Sequence, residues 1–90
     1  MDESLYGSAR KTILRKLMNM RKWGGSHTHF KHMLGGLPKH LRGSKEVKKA
    51  IKDLIREQKL LTKQTLQEPH VSLNPAKAKE IKDELGTDIK

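Results

Sequence analysis

Twenty Lys or Arg against ten Asp or Glu give this 90-residue chain a formal net charge of +10, and it has no cysteine. Disulfides, thiolate metal sites and cysteine nucleophiles are therefore excluded, and a chain of this size builds one small domain with a modest core. No apolar run approaches the roughly 20 residues that span a bilayer, and the start, with Asp2 and Glu3, lacks the features of a secretory signal. A soluble, cytoplasmic protein with no membrane partner is expected.

The charge is unevenly placed. Residues 4–67 hold 16 Lys or Arg and 3 acids, a net of +13, whereas residues 68–90 hold 4 and 5, a net of −1. This asymmetry points to an anionic partner, nucleic acid before acidic lipid. Tyr6, Trp23 and Phe30 are the only aromatic residues. The core is therefore mainly Leu, Ile, Val and Met, and RNA modules that stack bases on an exposed sheet are disfavoured.

In chain order, residues 1–8 read as a flexible start, with Gly7 interrupting any helix. Residues 9–85 form the domain and 86–90 a polar tail. Ser8 is placed to cap a first helix from about Ala9 to Lys22, whose apolar side is Ala9, Ile13, Leu14, Leu17 and Met18, with Arg10 on the surface. Gly24-Gly25 is expected to close it, and Trp23 to plug the core. Ser26 or Thr28 caps a short second helix through Phe30, Met33 and Leu34, stopped by Gly35-Gly36. Leu37 to Leu41 form a tight turn.

The third helix is the centre of the chain. Ser44 reads as its N-cap. Val47, Ala50, Ile51, Leu54 and Ile55 recur at the spacing of a buried stripe, while Lys45, Lys49, Lys52 and Arg56 occupy the opposite side, with Lys48 and Lys59 on the flank. Asp53 and Glu57 are interleaved with these cations at helix-pair spacing. Leu60–Thr65 and His70–Leu73 then read as two strands of a hairpin turned at Pro69. Asn74-Pro75 starts a last helix, with Ala78, Ile81 and Leu85 as its stripe and Gly86 as its end.

The V-x-x-A-I-x-x-L-I-x-x-x-L-L run from Val47 to Leu61 and the hairpin ending in Val71-x-Leu73-Asn74-Pro75 resemble the winged helix-turn-helix superfamily, in its small archaeal or viral form. The fold class expected is mainly α with a small β-hairpin, in the order α-α-α-β-β-α. The resemblance implies a recognition helix in the DNA major groove carrying Lys45, Lys48, Lys49, Lys52 and Arg56. It also implies a wing, carrying Lys63 and Gln64, that touches the DNA backbone or minor groove; Lys39 and Arg42 are further candidate nucleic-acid-binding residues. Here the wing is short and its turn carries Glu68, which argues against deep insertion into the minor groove.

His27, His29 and His32 lie close together, and His29 with His32 suits one helix face. Without cysteines or a nearby acid they read as exposed histidines rather than a metal site. Their protonation would strengthen polyanion binding as pH falls through about 6.5. No catalytic constellation, phosphate-cradling glycine loop or cofactor motif is present. The expectation is therefore a non-enzymatic, double-stranded DNA-binding protein, a transcriptional regulator, acting as a monomer or homodimer without cofactor or metal. The alternative is an interaction module for structured RNA or an acidic protein. If the ridge joins Arg10, Lys11 or Lys39, nucleic acid is favoured; if Asp53 and Glu57 neutralise the cations in pairs, the interaction module gains.

Overall fold

The first helix of the computed structural model, which describes residues 2–86, is α1 (Asp2–Asn19). It starts at Asp2 rather than Ala9. Ser8 is not its cap, and Gly7 lies inside it, where glycine costs a helix only about 1 kcal/mol relative to alanine. That cost is outweighed by anchorage: Tyr6 packs against the core and its hydroxyl donates to Asp53, 47 residues away, at 2.5 Å. The helix also closes earlier than the glycine pair. Arg21, at φ 58°, takes the left-handed position, and the amides of Arg21 and Lys22 return to the carbonyls of Met18 and Leu17. This double closure satisfies the last carbonyls without glycine. Gly24, also at φ 58°, has a different role. Segment 22–24 runs alongside Leu73, and a Cβ on Gly24 would stand 3.3 Å from the Pro75 ring.

Next come β1 (Thr28–His29) and α2 (Phe30–Met33), then single 3-10 turns at Leu34–Gly36 and Lys39–Leu41. The strand was not expected; Thr28 pairs with Val71 instead of capping a helix. At the first of these turns the chain passes close to α1, and a Cβ on Gly36 would meet Thr12 Cγ2 at 2.9 Å. Helix α3 (Lys45–Arg56) is capped by Ser44, whose Oγ accepts from Val47 N at 3.3 Å. Gln58, at φ 65°, closes it as Arg21 closes α1.

The strands β2 (Leu60–Lys63) and β3 (His70–Leu73) form the expected antiparallel hairpin, with Leu60 opposite Leu73 and Lys63 opposite His70. Strand β2 is shorter than expected, ending at Lys63. Strand β3 lies in the middle of a three-stranded antiparallel sheet of order β1-β3-β2. Asn74 accepts from Ala76 N and opens a 3-10 turn at Pro75–Lys77, and α4 (Ala78–Leu85) follows. Among the described residues the fold is thus mainly helical, four helices with one small sheet.

One core joins all the layers. Ala9, Ile13, Leu14 and Leu17 of α1 meet Val47, Ala50 and Leu54 of α3, with Met33, Leu37, Leu60, Val71, Leu73, Ile81 and Leu85 closing the edges. Trp23 packs on this core, half-buried. Ile55 departs from the expected stripe and is 38% exposed, at the edge of the apolar arc centred on Val47, Ala50 and Leu54. Among the described residues no helix is long and apolar enough to cross a membrane.

Candidate nucleic-acid interface

The apolar side of α3 is fixed by the core, so its other side is turned outward by helical geometry. Lys45, Lys48, Lys49, Lys52 and Arg56 are all exposed, and with Asp53 they line one shallow surface groove. The five expected cations of this helix therefore come together as a ridge.

Beneath the ridge lies a carboxylate. Asp53 is buried, 4% exposed, and accepts from Tyr6 OH at 2.5 Å, Lys49 Nζ at 3.2 Å and Arg56 Nη2 at 2.9 Å. The Tyr6 hydrogen bond, then Lys49 and Arg56, hold its pKa below the usual carboxylate range, outweighing the opposing effect of burial. Lys49 Nζ also sits 5.5 Å from the centre of the Tyr6 ring, a cation–π distance. Two of the five cations are thus held from below, and Lys45, Lys48 and Lys52 have no carboxylate partner among the described residues. The spacing of Lys49, Asp53 and Arg56 gave the pairing from sequence. Nothing local pointed to Tyr6.

Arg10 corrects another expectation. It is 8% exposed rather than on the surface. Its guanidinium grips Glu57 (Nη1 3.0 Å, Nη2 2.7 Å) and Glu84 (Nε 2.7 Å, Nη2 2.8 Å), joining α1, the end of α3 and α4. Lys59 adds 2.8 Å and 3.4 Å contacts to Glu84 and Glu57. Arg10, and then Lys59, draw the Glu84 pKa down to about 2 against the effect of burial. Arg10 itself is held far above its ordinary value, by Glu84 first and Glu57 second. Glu57 is therefore engaged with this clasp and leaves the ridge charge intact. Arg10 cannot extend the ridge.

The remaining expected contacts lie elsewhere. Lys39 is exposed on the turn before α3, and Arg42 is drawn back by its Nε bond to the Leu37 carbonyl at 2.9 Å. Neither lines the α3 groove. Lys63 and Gln64 are exposed at the base of the β2–β3 turn, where Lys63 shares a shallow hollow with His27, His70 and Ser72.

The histidines form a row along the outer side of the sheet. Ring centres of His32 and His29 are 5.4 Å apart, those of His29 and His70 4.5 Å, and those of His70 and His27 4.8 Å. His29 and His32 do not share a helix face, since His29 belongs to β1; His70 joins them through strand pairing. His29 Nδ1 faces the Glu68 carboxylate, and His27 Nδ1 lies 2.8 Å from His70 Nδ1, so one of those two nitrogens must carry a proton and the other must not. Burial, then the neighbouring His29 and His27, lower the His70 pKa. His70 therefore gains its charge only below the ordinary imidazole range. No group of three or more His, Asp or Glu among the described residues is arranged to hold a metal ion.

Compared with known proteins, the chain matches no family model, no curated protein and no solved structure.

Proposed function

We propose that this chain is a winged helix-turn-helix protein that binds double-stranded DNA through α3, as a transcriptional regulator or a related non-catalytic DNA-binding protein. The α3 ridge carries the reading: five cations on one exposed helix face, with only Asp53 among them. Support for the winged-helix assignment comes from the element order and from a three-stranded sheet in which the strand preceding α3 pairs with the last strand, order β1-β3-β2. Affinity would come from phosphate neutralisation. Base discrimination would fall to Arg56, because the other ridge cations are lysines and lysine acts as a point charge rather than a fork.

The alternative, docking an acidic protein or structured RNA, draws on Asp53. By binding Lys49 and Arg56 it lowers the net ridge charge from +5 to +4 and restrains two of its side chains. An amide NMR perturbation map with duplex DNA decides between these readings. Shifts centred on residues 45–56 and the β2–β3 turn support DNA binding. A duplex that moves no α3 amide, while heparin or structured RNA does, removes it.

A further inference from the structure

The β2–β3 turn carries a side chain that the charge pattern does not account for. Leu66 is 104% exposed, at the rim of a shallow hollow it shares with His29 and His70. A lone exposed leucine is ordinary on a surface, but this one stands on a braced frame. Thr65 Oγ1 donates to the Glu68 carbonyl at 2.6 Å and accepts from Gln67 N at 3.2 Å. Phe30 N donates to the Pro69 carbonyl at 3.0 Å, tying the turn to α2. Glu68 is folded back onto His29, away from the apex, and His70 is bonded to His27. The acid that argued against insertion is therefore turned towards the base of the turn, against His29.

The apex that remains is Gln64-Thr65-Leu66-Gln67, four uncharged residues in a chain of net charge +10, with Lys63 just below. A surface made for phosphates would be cationic there. An apolar tip flanked by amides suits the minor groove, where Gln side chains meet base-edge acceptors and apolar side chains enter between base steps. We propose that Leu66 is a wedge that partly unstacks a base step in the minor groove and bends the duplex towards its major groove. This rests on the DNA-binding reading above and adds a second, uncharged contact to it.

The test uses the full chain and a 25-base-pair duplex rich in TA steps, which kink most easily, with end-placed donor and acceptor dyes and 2-aminopurine at the TA steps. Wild-type protein is expected to raise both energy transfer and 2-aminopurine fluorescence. Leu66→Ala should lose both and weaken binding about tenfold, the scale of burying one leucine. The salt dependence should stay the same, because no charge has been removed. The thermal midpoint of Leu66→Ala should match wild type, since the side chain is fully exposed, and a melt checks that the fold is kept. If Leu66→Ala leaves bending, fluorescence and affinity unchanged while Lys48→Glu/Lys52→Glu abolishes binding, the wedge is overturned and the α3 reading stands. If the wild-type protein does not bind the duplex, both fall. If Leu66→Ala weakens attachment to phosphatidylserine vesicles but not to the duplex, the leucine serves a lipid surface and the wedge is again overturned.

Discussion

Charge reversal at Lys48 and Lys52 isolates the ridge from the structure beneath it. Lys49 is a poorer choice, because its ammonium is bonded to Asp53 and its loss would disturb a buried carboxylate. Lys48 and Lys52 are exposed and have no carboxylate partner among the described residues. The ridge offers five cations, Asp53 offsets one, and three have no carboxylate partner among the described residues, so four phosphates is the central estimate, bounded by three and five. At about −0.9 per phosphate, the log-affinity slope against log salt is about −3.6, within about −2.7 to −4.5. Raising salt from about 50 to 200 mM should then weaken duplex binding about 150-fold, within about 40- to 500-fold. In Lys48→Glu/Lys52→Glu the slope should shrink by about 1.8 and binding at about 100 mM salt should be abolished. Far-UV circular dichroism and thermal midpoint should stay near wild type. Fluorescence anisotropy at four salt concentrations measures the slope. A wild-type slope shallower than about −2, or a double variant with wild-type affinity, would refute α3 as the phosphate-binding surface.

The Arg10 clasp predicts structural effects. Arg10→Met leaves Glu57 and Glu84 with Lys59 alone and should cost about 3 kcal/mol, the low end for breaking a buried pair because Glu57 is partly exposed; denaturant unfolding checks it. The folded Glu84 pKa, about 2 against 4.5 in the free side chain, is depressed. Its stabilisation is therefore present above pH 4.5 and lost as pH falls towards 2, with a screened worth of about 1–2 kcal/mol. Glu84→Gln should flatten that acid limb in urea titrations. His70 shows the same sign at higher pH: its folded pKa lies below 6.5, so the unfolded chain takes the proton first and stability declines as pH drops below 6.5. The groups facing it are His29, His27 and Lys63, which repel its proton, and Glu68, which attracts it. His70→Gln should remove this decline in thermal melts between pH 7 and 5. Gly7→Ala, where a Cβ meets nothing within 4 Å inside α1, should stabilise the fold. A gain of about 0.5–1 kcal/mol should raise the melting midpoint by several degrees.

The sequence by itself determined the elements whose evidence is periodic or local. The α3 stripe apart from Ile55, the Ser44 and Asn74 caps and the hairpin strand His70–Leu73 all follow from neighbours within a few residues, and each occurs where expected. The outward ridge followed too, because burying Val47, Ala50 and Leu54 leaves Lys45, Lys48, Lys49, Lys52 and Arg56 one place to go. Tertiary structure decided what depends on contacts between distant residues. Tyr6 meets Asp53, Arg10 meets Glu57 and Glu84, and His70 meets His27 and His29, at separations from 41 to 74 residues. The same is true of β1, two residues with no pattern of their own, which exist as a strand only because Val71 and His70 offer an edge to pair with. Gly7 reversed its expected role for a related reason: a local backbone preference of about 1 kcal/mol is small beside the burial that α1 gains by running unbroken along α3. A residue's chemistry is written in the chain, but whether its charge faces solvent or a partner is set by what folding brings against it.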